Sequence, residues 1–178
     1  MIVFNSLIIA DPRNCTGCKA CEVACAIAHM EKPVLTAGMV TEPLYSRVFV
    51  VKSGSASLSV RCRHCEDAPC ARACPVGAIT QKNNVVLINS DKCIGCKTCA
   101  IVCPFGSIEL VYREKEHKVV AHKCDLCEGR PGGPACVEAC SSKALSLLDG
   151  NSLRSLIQNH RLASVQDLMN WVHIHQSA

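Results

Sequence analysis

In residues 78–88, AITQKNNVVLI, two apolar pieces flank the pair Asn83-Asn84, a pattern that predicts a β-hairpin. Residues 107–122, SIELVYREKEHKVVAH, repeat that shape around a charged turn, and 45–51 with 56–61 predict a third hairpin. Ile2–Ala10 reads as a short buried strand. Segments such as CKTCAIVC (96–103) suit short helices, which Pro75 and Pro104 would stop. From Gly150 the period changes. Leu153, Leu156 and Ile157, then Val165, Leu168, Met169 and Val172, recur at helical spacing, with Trp171 beside the second stripe. Asn151 or Ser152 would cap a first helix here, and Ser164 with Asp167 fits the capping box of a second.

Composition changes this picture in one respect. Aromatic residues are 3% of the 178, so little large side-chain surface is available for a core. Sixteen residues are cysteine, far above ordinary usage, and something other than side-chain packing is expected to hold the chain together. Disulfides need an oxidising compartment. The opening MIVFNSLIIADPRNC has no positive charge before Arg13 and no twin-arginine pair, and no stretch of about twenty apolar residues occurs. A cytoplasmic, reduced setting and no membrane span are therefore expected, which leaves metal as the use of the thiols.

The cysteines fall into four groups, 15-18-21-25, 62-65-70-74, 93-96-99-103 and 124-127-136-140. Their first members are 47, 31 and 31 residues apart, so the last three look like one repeating unit. Every group ends in Cys-x-x-x-Cys, and five residues later stands Met30, Ile79, Ile108 or Leu145. The four-residue spacing predicts each terminal pair on adjacent turns of one helix face. Structural zinc prefers paired Cys-x-x-Cys knuckles about fifteen or more residues apart. The triplets 15-18-21 and 93-96-99 instead put three thiols in one loop, which suits three corners of an iron–sulfur cube. The fourth cysteine, already helical, points away and ligates a neighbouring cluster. CIGCKTCAIVCP (93–104) resembles the run of bacterial two-cluster ferredoxins at every cysteine and at the proline.

Groups two and three both carry the terminal Cys-Pro and form the expected inner module, about 62–108. Cys62, Cys65, Cys70 and Cys103 would hold one cluster, and Cys93, Cys96, Cys99 and Cys74 another. Groups one and four, where Ala26 and Ser141 replace the proline, would pair across it. Cys15, Cys18, Cys21 and Cys140 would hold a third cluster, and Cys124, Cys127, Cys136 and Cys25 a fourth. The expected fold is α+β, a duplicated ferredoxin-like domain of two pseudo-symmetric two-cluster modules over 1–149, with a helical tail over 150–178.

His64, between two cysteines, is expected near a cluster or at the surface rather than as a ligand. Lys19, Lys97 and Lys123 each flank a cysteine, where they are either solvated or raise a reduction potential. Gly17 and Gly95 would let backbone N–H groups approach cluster sulfur. GRPGGP reads as a flexible loop, and His160, His173 and His175 as surface residues. The formal charge of +4 assumes protonated thiols; four clusters with their thiolates would bring it to about −4, so the basic balance is no nucleic-acid signal. No phosphate loop, dinucleotide fingerprint, radical-enzyme Cys-x-x-x-Cys-x-x-Cys triplet or catalytic acid–base constellation is present in the sequence.

IIADPRNCTGCKACEVAC, CRHCEDAPCARACPVGAI, CIGCKTCAIVCPFGSIE and KCDLCEGRPGGPACVEACSSKAL together resemble the four-cluster electron-transfer subunits of the dimethyl-sulfoxide-reductase iron–sulfur family. The likeness is nearest to the formate-hydrogenlyase and hydrogenase small-subunit branch, and it spans residues 7–148. It implies four [4Fe-4S] clusters, since Cys96 and all its companions are present. It also implies a non-catalytic subunit passing electrons between a molybdenum or tungsten pterin enzyme such as formate dehydrogenase and a second partner such as a hydrogenase. Other ferredoxin-like subunits are further candidate partners. A free polyferredoxin and a zinc-binding module are the alternatives. The tail lies outside the family pattern, and its stripe would dock on the chain's own core, on a partner, or on another copy in a larger assembly.

Overall fold

The computed structural model describes residues 4–30, 33–34, 36–41 and 43–176, without the side chains of Lys115 and of residues 173–176. Among the described residues, eight strands form four antiparallel pairs. The first half runs β1 (Leu7–Ala10), α1 (Ala20–Ala28), β2 (Val48–Ser53), β3 (Ala56–Arg61), α2 (Pro69–Arg72) and β4 (Ile79–Lys82). The second runs β5 (Val85–Ile88), α3 (Thr98–Val102), β6 (Glu109–Arg113), β7 (Lys118–His122), α4 (Ala135–Glu138) and β8 (Leu145–Leu148). Each half thus reads β-α-β-β-α-β, apart from single 3-10 turns at Ala37–Met39 and Glu114–Glu116.

The two halves close on each other. β4 and β5 are joined through Asn83 and Asn84, whose φ values of 50° and 62° are those of a tight hairpin turn that asparagine tolerates. At the other end β1 pairs with β8, Leu7 opposite Leu148. The first strand of one half therefore always meets the last strand of the other. Helices follow the same rule, with α1 against α4 and α2 against α3. The 31-residue spacing points to a unit of one cysteine group, but the repeating unit of the fold is a pair of groups. The extra residues in the first gap fall between α1 and β2.

The expected hairpins are β2–β3, β4–β5 and β6–β7. The expected strand at 2–10 is observed as Leu7–Ala10; Ile2 and Val3 lie outside the described residues. Of the expected helical pairs, α1 carries both Cys21 and Cys25. α2, α3 and α4 are only four or five residues long and end before Cys74, Cys103 and Cys140. Ile79, Ile108 and Leu145 are buried at equivalent places, while Met30 is half-buried.

The interior is short of hydrocarbon. Among the described residues, the bulkiest of the most completely buried side chains belongs to His64. Cysteines supply much of both buried clusters, Cys21, Cys25, Cys124 and Cys136 in one, Cys70 and Cys99 in the other. Burial of such small groups yields roughly 25 cal/mol per Å² and little area each, so cofactor ligation is a natural source of the remaining stability.

α5 (Gly150–Gln176) is a single helix of 27 residues, about 40 Å long. Its cap is Asp149, whose carboxylate accepts the Ser152 N–H at 2.7 Å, rather than Asn151 or Ser152. The expected second start at Ser164 is absent because the hydroxyl bonds back to the His160 carbonyl at 3.0 Å, inside a continuous helix. Beyond Leu153 the described side chains of α5 are exposed, Leu168 at 65% and Met169 at 56%, so the stripe does not pack on the cysteine-bearing body. No helix among the described residues is long and apolar enough to cross a membrane.

Candidate metal centres

Two short loops built alike present the triplets. In the first, Gly17 (φ 72°) turns the chain between Cys15 and Cys18, and Lys19 in the left-handed region starts α1. In the second, Gly95 (φ 67°) and Lys97 do the same before α3. The glycines have a further reason. A Cβ on Gly17 would stand 2.8 Å from the Ser57 hydroxyl, and one on Gly95 would stand 2.6 Å from the Val119 carbonyl. Each glycine therefore lets the hairpin of its own half, β2–β3 or β6–β7, lie close over the loop. The close approach observed is to that hairpin.

Thiols from different cysteine groups are brought together. One recess is lined by Cys74, Cys93, Cys96 and Cys99, and a second by Cys62, Cys65, Cys70 and Cys103. Cys25 lies within electrostatic range of Cys124 and Cys136, which is itself in range of Cys127, and Cys140 is in range of Cys18. Cys18 and Cys96 are exposed; the other thiols are half-buried or buried. Burial pushes Cys124 and Cys136 up to about 12 and Cys70 to about 11. As free side chains these are neutral thiols at pH 7, and only a cation among them makes them the thiolates that ligate metal. Backbone N–H groups already aim at sulfur: Ala78 at Cys74 (3.3 Å), Ser107 at Cys103 (3.5 Å), Ala121 at Cys93 (3.4 Å) and Arg47 at Cys25 (3.4 Å). Such donors, and all-sulfur donor sets, fit iron–sulfur clusters.

His64 is not at the surface; it is 1% exposed. Burial first, then the Lys123 charge, pushes its pKa down to about 3, so the ring is neutral. Nδ1 accepts the Val86 N–H at 3.1 Å, which places the proton on Nε2, a buried atom with no partner. Lys19 and Lys97 are exposed, but Lys123 is 4% exposed. The GRPGGP loop is pinned: Arg130 donates to the Gly133 carbonyl (2.8 Å) and to Glu138 (2.6 Å). His160 is exposed; the side chains of His173 and His175 lie outside the described residues.

A charged network beside Cys25 and Cys127 had no local signal in the sequence. Asp125 accepts from His29 Nε2 at 3.0 Å, from the Cys127 N–H at 2.9 Å and from the Arg47 guanidinium. Burial opposes charge on His29, but Asp125 and then Cys25 override it and push its pKa up to about 10. Burial likewise opposes charge on Asp125, yet the His29 hydrogen bond and the Arg47 charge hold it below the usual carboxylate range. His122, pushed down to about 4 by burial and Arg47, is neutral and accepts from Arg47 Nε. The imidazole of His29 also donates to the Cys25 carbonyl at 2.7 Å, tying α1 to the loop that carries Cys124 and Cys127. His29, Asp125 and Cys127 approach one another as metal ligands would, but Asp125 is engaged by Arg47 and Cys127 belongs to an expected cluster set.

Residues 55–150 match the 4Fe-4S dicluster domain family. The electron transport protein HydN of Escherichia coli (strain K12) is 42% identical over 168 residues, covering 88% of this chain and 95% of HydN. Hydrogenase-4 component A of the same strain is 37% identical, covering 90% of this chain and 91% of that protein. AegA, also from that strain, is 43% identical over 166 residues, but the chain spans only 25% of AegA's length.

Proposed function

Because the chain belongs to the 4Fe-4S dicluster family, we propose that it relays single electrons through four [4Fe-4S] clusters between two redox partners. The observation that carries this reading is the recess lined by Cys62, Cys65, Cys70 and Cys103, and its twin lined by Cys93, Cys96, Cys99 and Cys74. In each, three cysteines from one group meet the last cysteine of another. The two outer sets are Cys15, Cys18, Cys21 with Cys140, and Cys124, Cys127, Cys136 with Cys25. When bound, each cluster takes up and gives back one electron. The chain's part is to hold the sites at fixed separation, to direct N–H donors at the sulfurs and to exclude water from most of them. Exposed Cys18 and Cys96 mark the two sets nearest solvent, where electrons would enter and leave.

The partners fitting this reading are a formate dehydrogenase and a hydrogenase, in a cytoplasmic formate- and hydrogen-converting complex. The support is the likeness to a hydrogenase component and to an electron transport protein. The exposed stripe of α5 is the attachment device on this reading, for a partner or for another copy. Anaerobic purification from the native host is the test. Formate dehydrogenase and hydrogenase subunits should co-purify, added formate should bleach the visible absorbance, and a chain lacking 151–178 should lose attachment. A chain that purifies alone and responds to no bound enzyme would favour a free polyferredoxin.

A further inference from the structure

Two buried cations have no part in the relay as described. Arg61, the last residue of β3, precedes Cys62; Lys123, the residue after β7, precedes Cys124. They are equivalent positions in the two halves, and both are 4% exposed. Neither makes an ion pair with a carboxylate among the described residues. Arg61 donates to the Ile8 carbonyl (3.1 Å), the Ser59 carbonyl (2.7 Å) and the Ser59 hydroxyl, and its Nε has no partner. Lys123 donates to the Cys124 carbonyl (2.9 Å) and to that of Val86. Carbonyl oxygens satisfy N–H groups but do not neutralise a charge, and buried lysine and arginine are rarely left without an anion.

The surroundings of each side chain supply the anion. Arg61 donates to the carbonyl of Ile8, which packs in one buried cluster with Cys21, Cys25, Cys124 and Cys136, and its charge acts most on Cys136, then on Cys124 and Cys21. Lys123 donates to the carbonyl of Val86, which lines the recess of Cys62, Cys65, Cys70 and Cys103, and its charge reaches Cys70 in the opposite half. The two cations are thus exchanged between the halves, as the strands and the last cysteines are. Their targets are thiols inside the molecule, whereas the exposed Lys19 and Lys97 sit beside the exposed Cys18 and Cys96.

We propose that Arg61 and Lys123 are crossed counter-ions: Arg61 serves the cluster set of Cys124, Cys127, Cys136 and Cys25, Lys123 serves that of Cys62, Cys65, Cys70 and Cys103, and each raises the reduction potential of its set. This rests on the four-set reading above. One electron enters a site that is already net negative, with no proton required, so a fixed buried cation favours the reduced form. At an effective dielectric of about 20, a unit charge about 10 Å from a cluster changes the reduced-to-oxidised ratio by about tenfold or more, about 59 mV per tenfold for one electron.

The test is an EPR-monitored redox titration of the full-length holoprotein, prepared anaerobically. Signals are assigned with Cys127→Ser and Cys65→Ser variants. Arg61→Met should lower the potential of the Cys124 set by about 59 mV or more and leave the Cys62 set in place; Lys123→Met should do the reverse. Arg61→Lys, which keeps the charge, should hold the wild-type value. If Arg61→Met instead strips iron from one set, loss at the Cys124 set supports the crossing and loss at the Cys62 set overturns it. Unmoved potentials in both Met variants, shifts in the set adjacent in sequence, or an Arg61→Lys shift as large as that of Arg61→Met would also overturn it. Wild-type protein without four titrating clusters would instead refute the four-set reading itself.

Discussion

Cys103→Ser should abolish the cluster set begun by Cys62, Cys65 and Cys70, and spare the set begun by its own neighbours Cys93, Cys96 and Cys99. Cys103 is the residue at which α3 ends, in extended conformation, so its side chain leaves the loop that bears the triplet. It lines the recess of Cys62, Cys65 and Cys70 together with Pro104 and Phe105. Arg63, between Cys62 and Cys65, stacks on the Phe105 ring at 4.9 Å and helps hold the two segments together. The Ser107 N–H, 3.5 Å from the Cys103 sulfur, orients it. Serine offers a hard hydroxyl that ionises poorly where iron wants a soft thiolate. Iron should fall from about sixteen to about twelve atoms per chain, one four-iron cluster lost. Loss of the Cys93 signal alone would contradict the pairing.

Asp125→Asn should lower the melting temperature of the holoprotein by about 6–12 °C, from a loss of about 3 kcal/mol. Asp125 is the common acceptor for Arg47 and His29, with only a quarter of its side chain exposed. Without it two cations face each other across the end of α1 and the segment before β2, where Arg47 fastens the long first gap to the second half. The pH dependence separates the partners. Asp125 is held below its ordinary value of 3.8, so its contribution is present above that value and is lost as pH falls towards the folded-state pKa. His29 is raised from 6.5 to about 10, so its contribution is complete below pH 6.5 and fades as pH rises through 10. The difference between wild type and variant should therefore be largest between about pH 4 and 6.5. It should shrink towards the Arg47 share alone by pH 10. A variant that melts with the wild type at pH 5.5 would contradict this account.

What could be read from the sequence was local. Asn83-Asn84 announces its hairpin because the turn needs two left-handed residues in a row, and the strands on either side are apolar. The cysteine groups announce themselves because a cluster loop needs thiols two residues apart. The network of His29, Arg47, His122 and Asp125 could not be read this way, since its members come from the C-cap of α1, the first gap, β7 and the fourth cysteine group. The buried Arg61 left a faint signal. Aligning group two with group four, instead of counting equal intervals, sets Arg61 opposite Lys123 and His64 opposite Leu126, two residues that share a left-handed backbone. The tail misled for a physical reason: Ser164 and Asp167 have the spacing of a capping box, but a serine hydroxyl can also be satisfied by the carbonyl four residues back, and here it is.

The most direct measurement of the central claim is iron, acid-labile sulfide and zinc analysis on anaerobically purified chain, with EPR after dithionite reduction. Four cubanes on sixteen thiols predict about sixteen iron and sixteen sulfide per chain and reduced-cluster signals. Zinc at about four per chain, no sulfide and no EPR signal would contradict it.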